Sequence, residues 1–272
     1  YEEVQAAMDG DINDKVAPFL EDVIRPLYAC YEALKTARGV RQPLELDLPE
    51  RKIILGDDGQ VTDVAFKDRL DAHRLIEEFM VLANVAAAET LIAKKQPLLF
   101  RVHEEPSVEK MESLRATAQS AGFNLAKGQV LKTAHLNRLL DQAAGTEEAE
   151  LINISTLRSM TQAYYSPVNF GHFGLALGCY AHFTSPIRRY ADLVVHRALI
   201  RALGLGTDGL TDEEIARLSH DALARMGLLE SARQPDLPRE MFEEQARRRV
   251  KLGLLVGAVL QEHQLRLEES RV

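Results

Sequence analysis

The sequence predicts an α+β fold, mainly helical, with a few short strands. Three observations carry that prediction. Apolar residues recur at three- and four-residue spacing through most of the 272 residues. One stretch, 44–66, alternates in a β pattern around an Asp-Gly pair. A third, YYSPVNFGHFGLALGCYAHF at 164–183, is rich in glycine and aromatic residues and fits neither period. A content of 46% hydrophobic and 27% charged residues suffices for a sizeable core.

Taken in order, YEEVQAAMDG is helical in pattern from residue 1, with no Met and no cap, as expected of a chain that enters in mid-domain. Asp9, Asp11 and Asp14 follow as a solvated turn, because Ca²⁺-loop spacing would need a Gly and a terminal Glu that are absent. Residues 16–37 place Leu20, Val23, Ile24, Leu27, Cys30, Tyr31 and Leu34 on one face, predicting a core helix. RKIIL and QVTDVAF flank a turn at Asp57 and Asp58 and predict a hairpin. The longest helix of the first half is predicted over 69–95, with Leu75, Phe79, Leu82 and Ala86 inward and Ala86–Ala88 allowing close approach of a neighbour. On pattern alone Glu77 and Glu78 are solvated, and His73 is packed or capping. LLFRVHEEPS reads as a short strand ending in a Pro turn, followed by a helix from Ser107 to about Ala121 with Met111, Leu114 and Ala118 inward. Two further helices are expected at 127–144 and 146–163, the second opened by Thr146 with Glu147 and Glu148 in its first turn.

In 164–183 the glycines at 171, 174 and 178 predict a bend or close backbone approach. The aromatics Tyr164, Tyr165, Phe170, Phe173, Tyr180 and Phe183 suit base stacking and core packing equally. Ser185 and Pro186 then predict a helix start, Ser as cap and Pro at the first position, and the helix ends near Gly204. Its first turn would carry Arg188 and Arg189, the wrong sign for the positive end of the helix dipole. An anion between them would relieve that cost, so capped N–H groups and a forked guanidinium make a candidate phosphate site. The competing reading pairs Arg188 with Asp192 at i+4, in line with His196 at i+8. Thr211 and Glu214 form a capping box for a later helix.

A net charge of −8 argues against nucleic-acid binding by bulk electrostatics but leaves room for a local basic groove. Cys30 and Cys179 are far apart in apolar surroundings, as expected of buried free thiols in a reducing compartment. With no opening signal segment and no run of about 18 apolar residues, the expected location is cytoplasmic.

TSPIRRYADLVVHR, preceded by GHFGLAL, resembles the signature of the RNB-type exoribonucleases, the bacterial ribonuclease II and ribonuclease R family. HRLIEEFMVLAN and FRVHEEPS agree with it in order, so the resemblance extends from residue 1 to about 219. It implies 3′ to 5′ hydrolysis of single-stranded RNA to nucleoside monophosphates. It makes Arg188 a catalytic residue at the phosphate being cut and places Glu77, the first Glu of IEE, beside bound RNA; Arg189, the second cation of the candidate phosphate site, is expected to bind RNA with them. It also implies Mg²⁺ held by aspartates in the pattern D-x5-D-x-D-D, a pattern these residues do not contain, so no metal ligand is assigned. The later catalytic Glu and the OB-fold of that family are not matched either. The expectation is therefore a partial catalytic domain, inactive or nearly so alone, with an exposed sheet edge and poor solubility.

Residues from about 220 to 272 resemble instead the C-terminal helical domain of trigger factor, in LPREMFEEQARRRVKLGLLVGAVL. Pro238 would open that helix, and Val250, Leu254, Leu255, Ala258 and Val259 would form its apolar stripe. Arg247, Arg248 and Arg249 read as surface paired with Glu243 and Glu244. The alternatives to the exoribonuclease are thus a non-catalytic RNA-binding module, or a chaperone-like contact with unfolded peptide or the ribosome through this segment.

Overall fold

The computed structural model describes residues 1–48, 51–55, 59–66, 69–126 and 132–225. The turn at Asp57 and Asp58, and every expectation for residues 226–272, lie outside the described residues. The chain divides into two compact units, Tyr1–Met226 and Gly227–Val272, and the first is the one described. Its elements are α1 (Glu2–Met8), α2 (Arg25–Arg41), β1 (Arg51–Leu55), β2 (Val61–Phe66), α3 (Asp71–Ala93), β3 (Phe100–Val102), α4 (Val108–Ser120), α5 (Thr133–Ala143), α6 (Ala149–Ser159), β4 (Tyr164–Ser166), α7 (Tyr190–Leu203) and α8 (Asp212–Arg225). This is the mainly helical α+β fold that the periodicities predict.

Both sheets are antiparallel pairs. β1 and β2 form the expected hairpin, with a register shift between Ile54 and Leu55. β3 pairs with β4, Arg101 opposite Tyr165, and on its other side the Arg101 N–H donates to the Tyr180 carbonyl (2.8 Å). The glycine-rich segment is thereby drawn against β3. Two of its glycines are required there: Gly171 has φ +74°, and a Cβ at Gly174 would lie 2.8 Å from His103 Nδ1. Gly178 has open space around it.

Three apolar clusters hold the unit together. One joins the C-terminal half of α3, β3, α7 and Leu210, with Ala88, Leu91, Val102 and Val195 fully buried. Ala87 and Ala88 sit in it with Val194, Val195 and Ala198, the close approach that small residues allow. A second joins α4, α5 and α6 around Leu114, Leu136, Leu139 and Ile152, and a third joins α1 to Val16, Leu20 and Ile24. Leu136 is 0% exposed, so Leu136→Ala should destabilise the protein by about 2–5 kcal/mol. A fall in the urea midpoint without a change in slope would confirm it.

Several expectations need correction. Residues 16–37 are not one α-helix: a 3₁₀ turn at Ala17–Phe19 and a π turn at Leu20–Ile24 precede α2. Leu20, Ile24 and Tyr31 are buried, whereas Val23, Leu27 and Cys30 are exposed. In α3 the buried line is Ala72, Leu75, Glu78, Val81, Asn84, Ala88 and Leu91, while Leu82 is 49% exposed. The predicted stripe is out of phase because two polar residues occupy core positions. Thr146 does not cap α6: its hydroxyl donates to the Ala143 carbonyl (2.7 Å), closing the end of α5, and the helix starts at Ala149. His73 is packed as expected, stacked on Tyr1 at 4.3 Å. The capping box also forms, Glu214 Oε2 accepting from the Thr211 N–H (2.8 Å) while Thr211 Oγ1 accepts from the Glu214 N–H (3.3 Å). Arg197 binds the same Glu214 carboxylate at 2.5 and 2.9 Å, fastening α8 to α7. Residue 219 falls inside α8, and the unit continues to Met226.

Candidate functional site

The Ser185–Pro186 pair does not open a helix. Residues 186–188 form a reverse turn in which the Ser185 carbonyl accepts from the N–H groups of Arg188 (3.3 Å) and Arg189 (3.2 Å). α7 begins at Tyr190 with Arg189 extended before it, so both arginines precede the helix and neither burdens its dipole. The cause is Asp192, which is 0% exposed and lies in the first turn, where a carboxylate is favoured. Asp192 Oδ1 accepts from the Ser185 N–H (2.7 Å) and from Arg189 Nη2 (2.8 Å), and Oδ2 accepts from Arg189 Nε (2.8 Å). Burial pushes the Asp192 carboxyl upward, but the Arg189 and Ser185 hydrogen bonds outweigh it and hold the group below the usual carboxylate range.

The twin arginines therefore have different fates. Asp192 takes Arg189, not Arg188 as the i,i+4 reading supposed. Arg188 is exposed and, among the described residues, has no side-chain hydrogen bond or ion pair. It stands beside Ile187 (98% exposed) and Tyr190 (72% exposed) at the tip of a braced turn.

The wall behind that turn is built by α3 and residues 180–183. Asn84 Nδ2 donates to the Tyr180 hydroxyl (2.8 Å), and Asn84 Oδ1 accepts from the Phe183 N–H (2.8 Å). His196 lies flat on Phe183, ring centroids 4.2 Å apart, with Nε2 2.8 Å from the Phe183 carbonyl. Phe183 is partly buried and packs against the first apolar cluster, while Phe170 is exposed. Tyr165 Oη is 2.7 Å from His182 Nδ1, and the Arg101 guanidinium covers the Tyr165 ring at 4.9 Å. Burial, and then the charges of Arg189, Arg101 and Arg188 working against Asp192, depress His182 to about 4.

Glu77 is on the same helix as Asn84, two turns earlier. It pairs with Arg69 and more distantly with Arg38 (3.8 Å), and its charge reaches the Tyr180 hydroxyl. Beside it, contrary to the solvated reading, Glu78 is buried at 5% exposure, bonded to Arg38 at 2.6 Å. Arg38, Arg69, Arg74, Glu77 and Glu78 line a cleft of about 240 Å³. A larger cavity of about 610 Å³ lies under the glycine-rich segment, lined among others by Arg41, Lys132, His103 and His172. The two histidines there are structural acceptors: His103 Nδ1 takes the Gly174 N–H (2.9 Å) and His172 Nδ1 the Leu175 N–H (3.2 Å). Burial, reinforced by His103, takes His172 down to about 3.

The charges of Arg189 and Glu77 act on Tyr180, and those of Arg188 and Arg189 act on His182. Sequence reasoning missed Arg101, His182 and Asn84, and named Tyr165 only as one of six aromatics suited to stacking or packing. Period-two alternation offered a signal, since Phe-Arg-Val at 100–102 and Tyr-Ala-His at 180–182 each put polar groups on a face opposite a buried apolar residue. Among the described residues no group of three or more His, Cys, Asp or Glu side chains is placed to hold a metal ion. Asp9, Asp11 and Asp14 are exposed, in keeping with a solvated turn.

The scaffold thus carries an exposed arginine on a turn braced by Arg189 and Asp192, with Arg101, Tyr165, Tyr180 and His182 packed nearby. The sequence matches the RNB domain over residues 1–204, and the chain belongs to that family. Residues 208–272 match the C-terminus of the bacterial trigger factor protein. Ribonuclease R of Escherichia coli (strain K12) is 40% identical over 207 residues, covering 75% of this chain and 25% of that protein. Ribonuclease R of Aquifex aeolicus is 39% identical over 204 residues, 75% of this chain and 29% of that protein. The chain therefore spans about a quarter of the length of these relatives. The solved structure of Mycoplasma genitalium RNase R in complex with ribose methylated single-stranded RNA superposes with a TM-score of 0.69 at 27% identity, covering 82% of this chain and 35% of that one.

Proposed function

We propose that this chain grips the phosphate backbone of single-stranded RNA at the Arg188 turn, as a section of a 3′ to 5′ exoribonuclease releasing nucleoside monophosphates. The observation that carries it is Arg188, exposed and without a side-chain partner among the described residues, on the turn braced by Arg189 and Asp192 in an RNB-family chain. A guanidinium so placed can take a phosphodiester by two parallel hydrogen bonds and stabilise charge that grows on it during cleavage. In this reading Arg188 touches the scissile phosphate, Glu77 lies along the RNA path, and Arg189 serves the RNA contact by fixing the turn.

The residues present do not fit the Mg²⁺ site that the family resemblance implies. The sequence lacks D-x5-D-x-D-D, and Asp192 is buried and fully engaged by Arg189 and Ser185. We accordingly expect the chain alone to bind RNA without cutting it. A 5′-labelled oligo(A) incubated with the chain and Mg²⁺ should stay full length, while its affinity falls with salt at a shallow slope of roughly −1 to −2, as for two or three gripped phosphates. Mg²⁺-dependent shortening abolished by Arg188→Ala would overturn the claim of inactivity and turn attention to Glu77 as a metal ligand.

The match of residues 208–272 to the trigger factor C-terminus favours a second reading, contact with unfolded peptide or the ribosome through about 220–272. Deletion of those residues abolishing peptide binding while leaving RNA binding intact would support it. We also propose a cytoplasmic location: Cys30 is exposed and both cysteines are free thiols, which a reducing compartment preserves. Cell fractionation tests this.

A further inference from the structure

We propose that His182 is a second donor in the phosphate grip, presenting its Nε2–H to the phosphodiester that Arg188 holds. This rests on reading the Arg188 turn as an RNA-phosphate site. Three observations lead to it.

The ring is fixed. Tyr165 Oη lies 2.7 Å from Nδ1, and the edges of Tyr165 and Tyr180 pack against the imidazole with centroids 5.6 and 5.8 Å away. Tyr165 is itself held from above by Arg101. A phenol hydroxyl that donates to Nδ1 sets the tautomer of a neutral imidazole, leaving the proton on Nε2.

Nε2 is free. Among the described residues it has no protein partner, and it is not one of the buried unpaired polar atoms, so it opens to solvent. His196, in contrast, spends its Nε2 on the Phe183 carbonyl, and His103 and His172 spend their Nδ1 atoms on backbone N–H groups.

The surroundings select an anion and a neutral donor. Tyr165 from β4 and Tyr180 pack against the ring, and the charges acting on it are those of Arg101 from β3, Arg188 and Arg189 from the turn, and Asp192 from α7. Three guanidinium groups against one carboxylate leave a local cationic excess in a chain of net charge −8. That excess attracts phosphate and disfavours an imidazolium, so the ring adds a directional hydrogen bond without adding repulsion to the empty site. The bond it offers runs to a charged oxygen, the stronger class of hydrogen bond.

The test uses the full chain and a fluorescein-labelled single-stranded oligo(A), with affinity read by anisotropy at fixed ionic strength. His182→Ala should weaken binding about tenfold, the loss of one hydrogen bond to a charged group. His182→Gln, whose amide N–H reaches a similar position, should stay within about threefold of wild type. Normal binding by His182→Ala beside weakened binding by Arg188→Ala would overturn this inference and leave the RNA reading standing. Equal loss in the Gln and Ala variants would also overturn it, since the ring would then matter for packing alone. If neither His182→Ala nor Arg188→Ala changes affinity, or the wild type binds no RNA, the RNA reading fails and this inference with it. Long-range ¹H–¹⁵N correlation of the His182 ring in the free wild-type chain gives an independent decision that needs no variant to fold: an Nε2–H tautomer is expected, and Nδ1–H would overturn the proposal.

Discussion

Arg188→Ala should lower affinity for single-stranded RNA by roughly ten- to a hundredfold while leaving the thermal midpoint where it is, the range for losing a hydrogen-bonded pair with a charged group. The two halves of that expectation have separate causes. Affinity falls because Arg188 is the free cation at the tip of the turn, exposed and without a side-chain partner among the described residues. Stability holds because an exposed side chain that touches no core cluster leaves neither a cavity nor an unpaired buried group behind. Arg188→Lys should recover only part of the loss, since an ammonium supplies charge but not the planar fork. Anisotropy titrations at two salt concentrations check both points, and the Ala variant should show a salt slope smaller by about 0.7, the share of one phosphate on a single strand. Unchanged affinity in Arg188→Ala would remove the basis of the RNA reading.

Asp192→Ala is expected to be the most damaging single change to the turn. It leaves the part-buried Arg189 guanidinium without its carboxylate and the Ser185 N–H without its acceptor. Removing one member of a buried pair costs about 3–5 kcal/mol, and because the Arg189 side chain is 22% exposed and can recruit water, about 2–4 kcal/mol is expected here. The turn that displays Arg188 loses two of its tethers at once, so RNA affinity should fall with stability. Arg188→Ala separates the two effects, because it moves affinity alone.

The same pair sets an acid limit. The Asp192 carboxyl titrates lower in the folded protein than in the unfolded chain, where its value is about 3.9. A depressed folded value means that its contribution is fully present above about pH 4 and is lost as pH falls through the folded-state value. Urea midpoints should therefore drop as pH falls below about 4, and Asp192→Asn should flatten that drop. A wild-type profile no steeper than that of the variant would show that the pair does not couple to acid stability.

How much of this was legible before folding depends on how far apart the partners are. The Ser107 cap with Met111, Leu114 and Ala118 inward, the left-handed Gly204 after α7 and the Thr211–Glu214 box all appear where the sequence places them. Each is made within about one helical turn, so the residues that decide it are neighbours in sequence. The ordered motifs from HRLIEEFMVLAN to TSPIRRYADL likewise carry the family by themselves.

Tertiary structure decided the phase of α3, the start of α7 and the split between the twin arginines. Glu78 can be buried because Arg38 reaches it from 40 residues away, and Asn84 because Tyr180 and the Phe183 N–H meet it from 96 and 99 residues away. No periodicity in α3 encodes those partners, so a hydrophobic pattern misplaces its buried face. Asp192 could pair with either arginine by spacing. Burial settles it, because a carboxylate with no exposure takes the guanidinium and backbone N–H that can follow it inside, which sends Arg189 inward and leaves Arg188 exposed.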